Sequence, residues 1–143
     1  MTKEILIRKA TLIDEQAIFV LANQLHERII INENKFFEIF KSIIESEKQL
    51  LFVAELNSQI IGYFSSYVHS AIYANGNVMY LDEIVVDIAY RGRKIGNLLM
   101  AKLEEQAYQH SCILISLATA GAIEFYSKLD IVVKQAIIKS IFN

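Results

Sequence analysis

The sequence predicts an α/β fold, in which a mixed central sheet carries helices on both of its faces. The first observation behind this prediction is the order of the segments, which runs strand, two helices, three strands, helix, strand, helix, strands. The second is that strand 78–86, a helix and strand 113–118 form one βαβ unit. The two strands of such a unit are expected to be parallel, with a right-handed crossover between them.

The N-terminal part of the chain predicts one strand and two helices. Residues 4–8 alternate between charged and apolar side chains, which is typical of a strand. Residues 14–28 place apolar side chains three and four positions apart and therefore predict an amphipathic helix, capped by Thr11 or Asp14. Residues 33–45 predict a second helix, because phenylalanines and isoleucines recur at helical spacing.

The middle of the chain predicts three strands. Residues 50–56 and 60–68 are apolar and strand-like, and the polar turn 57–59 joins them as a hairpin. A second turn at 74–77 leads into the long strand 78–86.

The C-terminal part predicts the helix of the βαβ unit and the end of the sheet. A basic turn at 91–96 opens a helix at 95–110, and the short apolar strand 113–118 follows it. We expect a further helix at 122–129. Two closing strands are expected at 131–134 and 137–142.

The length and composition favour one domain. The 143 residues are the size of one compact domain, and the absence of proline excludes a proline-rich linker, so we interpret residues 1–143 as a single domain. No apolar run approaches the roughly 20 residues that span a bilayer. The alternating first residues do not resemble a signal peptide. We therefore expect a cytoplasmic protein with no membrane partner.

The charge and the cysteine count argue against two other classes. The net charge of -2 argues against bulk binding of nucleic acid. The single Cys112 excludes an intramolecular disulfide and a cysteine-rich metal site, and its apolar surroundings favour a small buried side chain over a nucleophile. The three histidines lack the spacing of metal ligands, so we expect no metal ion.

The segment most informative about chemistry is the basic turn at 91–96. The first turn of a helix offers unpaired N–H groups and the positive end of the helix dipole, and glycines allow a phosphate to approach closely. The turn therefore predicts a phosphate or pyrophosphate site, and a basic surface turn with two glycines is the alternative. The spacing matches neither a P-loop nor a dinucleotide-binding fingerprint. The residues of this turn are Arg91, Gly92, Arg93, Lys94, Ile95 and Gly96.

This turn resembles the acetyl-CoA-binding motif of the GNAT N-acetyltransferases, which reads Arg or Gln, two residues, Gly, one residue, then Gly or Ala. Arg91 and Gly96 match the outer positions, whereas Lys94 stands where the family usually has glycine. A lysine held there at positive φ would cost about 1 kcal/mol. Residues 7–14 are similar to the first strand and helix start of the family, residues 80–86 to its fourth strand, and residues 122–129 to its last helix.

The resemblance implies the GNAT fold, with acetyl-CoA as cosubstrate in the splay between the fourth and fifth strands. It implies that the turn 91–96 holds the diphosphate. It also implies that the backbone of Ile84, Val85 and Val86 bonds the pantetheine arm. The alternative is that these three apolar side chains only pack in the core. Both interpretations can be true, because the bonds use the main chain while the side chains pack.

The resemblance further implies the catalytic residues. Tyr126 stands where the family places a tyrosine that protonates the departing thiolate, and the alternative is a tyrosine bonded to a backbone carbonyl. Glu83 is the preferred general base for the amine, acting directly or through water, with Asp82 as the other candidate. Strand alternation predicts that Asp82 and Glu83 point to opposite faces, and that Leu81 and Val85 share the face of Glu83. A Glu83 carboxylate merely paired with a lysine or arginine remains the alternative.

These inferences predict an acetyl-CoA-dependent N-acetyltransferase that acts on a primary amine of a small molecule, peptide or protein. Attack is expected to be direct, because Cys112 lies away from the cleft. His26 and the aromatic residues 36–40 are minor candidates for the acceptor pocket, since a solvated helix end and core packing are more typical readings. Four acidic residues favour a cationic acceptor such as a polyamine, an aminoglycoside, a lysine side chain or an N-terminal amine: Glu27, Glu33, Asp82 and Glu83.

Two other functions and one assembly remain open from the sequence. A non-catalytic acyl-CoA-binding or regulatory module on the same scaffold would account for Lys94, Thr119 and Asp130, which depart from the family pattern. A general nucleotide-binding domain is the third reading. The apolar C-terminal strand at 137–142 is a candidate for pairing across a homodimer.

Overall fold

A computed structural model describes residues 4–25 and 30–117 of the chain. The predictions for His26, Glu27, Thr119, Tyr126 and Asp130, and for all elements after residue 117, lie outside these residues. The elements are β1 (Leu6–Lys9), α1 (Glu15–Ala22), α2 (Glu33–Glu45), β2 (Gln49–Leu56), β3 (Gln59–Ala71), β4 (Gly76–Val86), α3 (Ile95–Gln109) and β5 (Cys112–Leu117).

The five strands form one mixed sheet in the order β1-β2-β3-β4-β5. Neighbouring strands are antiparallel from β1 to β4, and β4 pairs with β5 in parallel, which confirms the parallel strands of the predicted βαβ unit. The predicted hairpin is also confirmed. Its turn consists of Asn57 and Ser58, which both have positive φ, as the tight two-residue turn between twisted strands requires.

Helices cover both faces of the sheet, as the sequence predicts. On one face, α1 and α2 bury a cluster that includes Leu21, Phe40 and Tyr63. On the other face, α3 buries Leu99 and Leu103 in the larger cluster. Many of the apolar side chains that recur at helical spacing face the sheet, including Ile18 of α1, Phe40 of α2 and Leu103 of α3. Three others at such spacing are exposed, so the prediction that they point inward is wrong: Phe37, Leu98 and Ala101.

A partly buried ion pair fixes the entry into α1. Arg8 on β1 donates from both terminal nitrogens to the Asp14 carboxylate, at 2.8 and 2.9 Å, and it also reaches Glu55 on β2 at 3.2 Å. The backbone N–H of Thr11 donates to the same Asp14 carboxylate at 2.8 Å. The Arg8 guanidinium lowers the pKa of Asp14, so this carboxylate stays charged and holds α1 against the edge of the sheet.

A β-bulge in β4 changes which side chains share a face. Ser65 on β3 lies opposite Glu83 and Ser66 lies opposite Leu81, so Asp82 has no partner residue across the strands. An extra residue of this kind reverses the alternation that follows it. Leu81 accordingly packs in the cluster under α3 together with Ile84. The prediction that Leu81 shares the face of Glu83 is therefore wrong.

Beyond the bulge, β4 continues past the described part of β5. The parallel pairing runs from Asn77 opposite Cys112 to Leu81 opposite Leu117. Residues 82–86 pair with β3 on their other side. In the described part of the sheet, the edge of this segment that faces away from β3 therefore presents its main-chain N–H and C=O groups to the region beside β5.

Candidate active site

The basic turn begins where β4 ends. A single 3-10 turn, Ile88–Tyr90, separates β4 from it. Gly92 has φ 84°, and Lys94, the residue immediately before α3, has φ 62° and ψ 22°. Lys94 stands where the motif that this turn resembles usually has glycine, and its backbone is left-handed. This conformation costs a residue with a Cβ about 1 kcal/mol.

The exposure of this turn suits an anion. Gly92, Arg93 and Lys94 are exposed, whereas Ile95 and Gly96 are buried at the start of α3. A Cβ built on Gly92 would meet no atom within 4 Å, so the surface beside this glycine is open. The first turn of α3 combines this open surface with the N–H groups and positive dipole end that a helix N-terminus offers to phosphate.

Three contacts fix the turn and the segment that leads into it. The Nε of Arg91 donates to the carbonyl oxygen of Val86 at 3.0 Å, and the guanidinium of Arg93 lies 5.2 Å from the centre of the Tyr90 ring. The backbone N–H of Asp87 donates to Ile61 on β3 at 2.8 Å. Arg91 therefore fixes the turn to the last residue of β4, and its guanidinium is not simply a solvated charge.

Close packing brings β3, β4 and α3 together at the same place. A Cβ built on Gly62 of β3 would lie 2.9 Å from the carbonyl oxygen of Val85 and 3.4 Å from Cδ1 of Leu99. A side chain at this position would push the end of β4 away from β3. Gly62 is thus required for the position of the strand end that leads into the basic turn.

The three residues expected to bind pantetheine through their backbone have core side chains. Ile84, Val85 and Val86 are each 1% exposed. Ile84 and Val86 pack under α3, whereas Val85 packs toward α1 and α2. The core reading of these side chains is confirmed, and the role of their main chain stays a prediction.

A cavity of about 440 Å³ lies on the opposite face, between the sheet, α1 and α2. Most of its described lining is apolar, and five polar side chains interrupt it. The apolar lining includes Ile18, Ala22, Phe36, Ile39, Phe40, Ile43 and Leu51. The polar lining is Asn32, Lys35, Tyr63, Ser65 and Glu83.

Glu83 lies in the wall of this cavity and is held by a tyrosine. The hydroxyl of Tyr63 donates to Oε1 of Glu83 at 2.7 Å. Burial, followed by the charge of Glu83, raises the pKa of Tyr63 well above its usual value, so the phenol keeps its proton and remains a donor. Neither arginine nor lysine forms an ion pair with Glu83 in residues 4–25 and 30–117. The hydrogen bond to Tyr63 therefore sets the orientation of this carboxylate.

Asp82, the other candidate base, has a different setting. Asp82 is exposed and does not belong to the described lining of the cavity. Desolvation, and then the neighbouring Glu83 charge, raise the pKa of Asp82. Of the two carboxylates, only Glu83 lies in the cavity wall.

The structure separates the aromatic candidates. Phe36 and Phe40 line the cavity and stack with their centroids 5.7 Å apart, while Phe37 is 42% exposed on another side of α2. Among the acidic residues that favoured a cationic acceptor, Glu83 lines the cavity, and Glu33 is outside its described lining. The charged residues of that described lining are Glu83 and Lys35.

Cys112 is the first residue of β5 and is 4% exposed in the cluster under α3. Burial raises the pKa of its thiol, which disfavours the nucleophilic thiolate. The prediction of a small buried side chain is confirmed.

Within the part of the chain that the structure describes, no set of three or more His, Cys, Asp or Glu side chains is arranged to hold a metal ion. No described helix has the length and apolarity needed to cross a membrane.

Sequence reasoning missed the residues that complete the cavity wall. Tyr63 and Ser65 lie on β3, and Lys35 lies in the first turn of α2. Their contribution depends on contacts between distant parts of the chain, so no local motif marks them. Tyr63 had one available signal, because a tyrosine in an apolar strand usually needs a polar partner for its hydroxyl.

Comparison with protein families gives one match. Residues 17–131 match the model described as the acetyltransferase (GNAT) family. This span contains β2, β3, β4, α3 and β5, together with the basic turn and the cavity wall. A comparison with curated protein sequences found no match.

Solved structures of the same fold include both enzymes and a protein with another description. One is an aminoglycoside N-acetyltransferase in complex with coenzyme A, at 16% identity and TM-score 0.78, covering 96% of this chain and 94% of that one. A transcriptional regulator from Bacillus halodurans C-125 has 23% identity and TM-score 0.78, with coverages of 93% and 95%. Glucosamine-6-phosphate N-acetyltransferase from Arabidopsis thaliana has 21% identity and TM-score 0.74, with coverages of 92% and 94%.

Proposed function

This chain belongs to the acetyltransferase (GNAT) family, and we propose that it transfers the acetyl group of acetyl-CoA to a primary amine of a small molecule, peptide or protein. The observation that carries the proposal is one juxtaposition in β4. The strand ends against an anion-suited turn, and it places Glu83 in the wall of a cavity on the opposite face. A donor that binds at the strand end and an amine that binds in the cavity would meet at this strand.

The residues present fit a coenzyme A thioester. The turn 91–96 offers three cations, an open glycine surface and the N-terminus of α3, which suit a diphosphate. The backbone of Ile84 and Val85 is proposed to bond the pantetheine arm, while the carbonyl of Val86 already accepts from Arg91. The bound thioester would supply an activated acetyl group. The coenzyme A complex of the structurally similar aminoglycoside N-acetyltransferase supports this donor.

Glu83 is proposed as the general base. An amine is protonated near neutral pH and must lose a proton before it attacks a carbonyl carbon. Glu83 is positioned to accept that proton, directly or through a water, because it lines the cavity and is not paired with a described cation. The amine then attacks the thioester carbonyl directly, without an acyl-enzyme, since the thiol of Cys112 is buried in the core under α3.

Tyr126 is proposed as the general acid that protonates the departing thiolate. This role rests on the family resemblance, since Tyr126 lies outside the described residues. Replacing Tyr126 with Phe is expected to lower kcat by about ten-fold or more while the affinity for acetyl-CoA changes little. Steady-state release of coenzyme A and calorimetry of acetyl-CoA binding measure the two quantities, and an unchanged kcat would remove Tyr126 from the mechanism.

The proposed function is tested by following coenzyme A release with acetyl-CoA and a broad panel of amines. Release above the no-amine background with any amine, together with mass-spectrometric detection of the acetylated product, supports the proposal. The structural likeness to a transcriptional regulator favours one other candidate, a non-catalytic acyl-CoA-binding module. Thermal stabilisation by acetyl-CoA without acetylation of any amine in the panel would establish that candidate instead.

A further inference from the structure

We infer that the acceptor is a monoamine on an apolar body, such as an alkyl or arylalkyl amine, and that polycations are poor acceptors. The inference rests on the proposed function and names its substrate class. It departs from the polycationic acceptors, such as polyamines and aminoglycosides, that the acidic residues of the sequence favour.

The first argument is the chemistry of the cavity wall. The described part of α2 contributes Phe36, Ile39, Phe40 and Ile43, and Leu51 of β2 forms part of the floor. An apolar body gains roughly 25 cal/mol for each Å² that such a wall removes from water. A polyamine or an amino sugar would bring charges and hydroxyls against the apolar part of this wall, where they lose hydration and few of them gain a partner.

The second argument is the charge balance of the cavity. The described lining contains one carboxylate, Glu83, and one ammonium group, Lys35. One carboxylate can receive one amine, and the hydrogen bond from Tyr63 fixes where it does so. A second or third ammonium group would find no further carboxylate in the described lining, and it would be repelled by Lys35.

The third argument is size. A volume of about 440 Å³ falls in the range of small-molecule sites, which is roughly 300–1,000 Å³. The cavity therefore accommodates the apolar body together with its amine. The floor that carries Glu83 also carries Ser65, so the polar groups that could receive the amine lie together on the sheet.

The test compares amines that differ in one feature, using the full-length protein, saturating acetyl-CoA and coenzyme A release as the readout. Hexylamine and 1,6-diaminohexane have the same chain, and the second carries one additional charge. We expect kcat/KM to be at least ten-fold higher for hexylamine. We also expect it to rise about three- to four-fold for each methylene added between butylamine and hexylamine.

Two results would overturn the inference while leaving the proposed function intact. One is equal or better turnover of 1,6-diaminohexane, and the other is a higher kcat/KM for spermidine or kanamycin than for every apolar monoamine. Absence of release with every amine would instead overturn the proposed function, and this inference with it. The outcomes are distinguishable because the first two require active enzyme.

A matched pair of variants locates the preference in the cavity. Ile39 lines the cavity from α2 and is 60% exposed, so Ile39→Glu adds a carboxylate to the wall without burying it. This variant is expected to reduce the hexylamine to 1,6-diaminohexane ratio of kcat/KM at least five-fold. Ile72→Glu makes the same change at a fully exposed position of the β3–β4 turn and should leave the ratio unchanged. An unchanged ratio in Ile39→Glu would contradict the placement of the acceptor.

Discussion

The two faces of the sheet differ in how they are built for binding. At the start of α3, the candidate donor site depends on main-chain features, namely the left-handed Lys94, the open surface beside Gly92 and the first turn of α3. Under α1 and α2, the candidate acceptor site depends on side chains from five separate elements that meet in one cavity. The residues of the donor site are consecutive in the sequence. Those of the acceptor site are distant in sequence and come together only when the chain folds.

This difference indicates which changes each face tolerates. A main-chain site survives most side-chain substitutions and is lost when a bulky or acidic group blocks the approach of phosphate. A side-chain site changes its preference with each residue of the wall. Substitutions on the two faces are therefore expected to affect donor affinity and turnover separately, and four predictions test that separation.

The largest expected effect comes from the base. Glu83→Gln removes the proton acceptor from the cavity wall and keeps the shape of the side chain. We expect kcat to fall by roughly 100- to 10,000-fold near neutral pH, with little change in the dissociation constant for acetyl-CoA. Asp82→Asn is the matched control, and we expect it to lower kcat by less than about ten-fold. A larger loss in Asp82→Asn than in Glu83→Gln would assign the base to Asp82.

The next largest effect is on the donor side. Gly96 is buried in the first turn of α3, and Gly96→Asp places both bulk and negative charge there. We expect the affinity for coenzyme A, measured by calorimetry, to fall by about 100-fold or more. Circular dichroism and the unfolding temperature of the free variant serve as the folding control. Retained affinity in a folded variant would place the phosphate site elsewhere.

A smaller effect is expected from the residue that orients the base. Tyr63→Phe removes the 2.7 Å hydrogen bond to Glu83 and keeps the ring in the core. We expect kcat to fall by about five-fold, the equivalent of roughly 1 kcal/mol, while KM for acetyl-CoA stays constant. Tyr67→Phe, on the same strand and with no described bond to Glu83, is the control. Equal losses in the two variants would show that Tyr63 does not position the carboxylate.

The smallest effect separates backbone strain from ligand binding. Lys94 and Ser111 both have left-handed backbones, with φ of 62° and 56°. Replacing either residue with glycine is expected to raise the free energy of unfolding by about 0.5 kcal/mol, measured by urea denaturation. Only Lys94→Gly is expected to alter the affinity for coenzyme A. An altered affinity in Ser111→Gly would show that the comparison does not isolate the turn.

The fold was largely accessible from sequence because its elements carry local periodicity. The bounds of α2 agree with the prediction at both ends, and α3 begins at Ile95 as expected. Helix α1 is shorter than predicted and ends at Ala22, followed by a turn over residues 23–25. The pattern of apolar residues continues past Ala22, so periodicity alone could not locate that end.

The site was accessible only in part. The basic turn and the left-handed position of Lys94 follow from a local motif, and Glu83 was named for its position in β4. The partnership of Glu83 with Tyr63 spans 20 residues and depends on strand register. The bulge at Asp82 made the predicted face of Leu81 wrong. It contains no glycine, so nothing in the sequence marked the interruption of strict alternation.

That interruption gives β4 one residue more than its pairing with β3 requires. Without Asp82, Leu81 would still lie opposite Ser66 and Glu83 opposite Ser65, so the strand would alternate regularly and every remaining side chain would keep its surface. Loss of this residue should therefore harm the sheet far less than loss of a residue from a regularly paired stretch of β4, which would turn the side chains that follow it to the other surface.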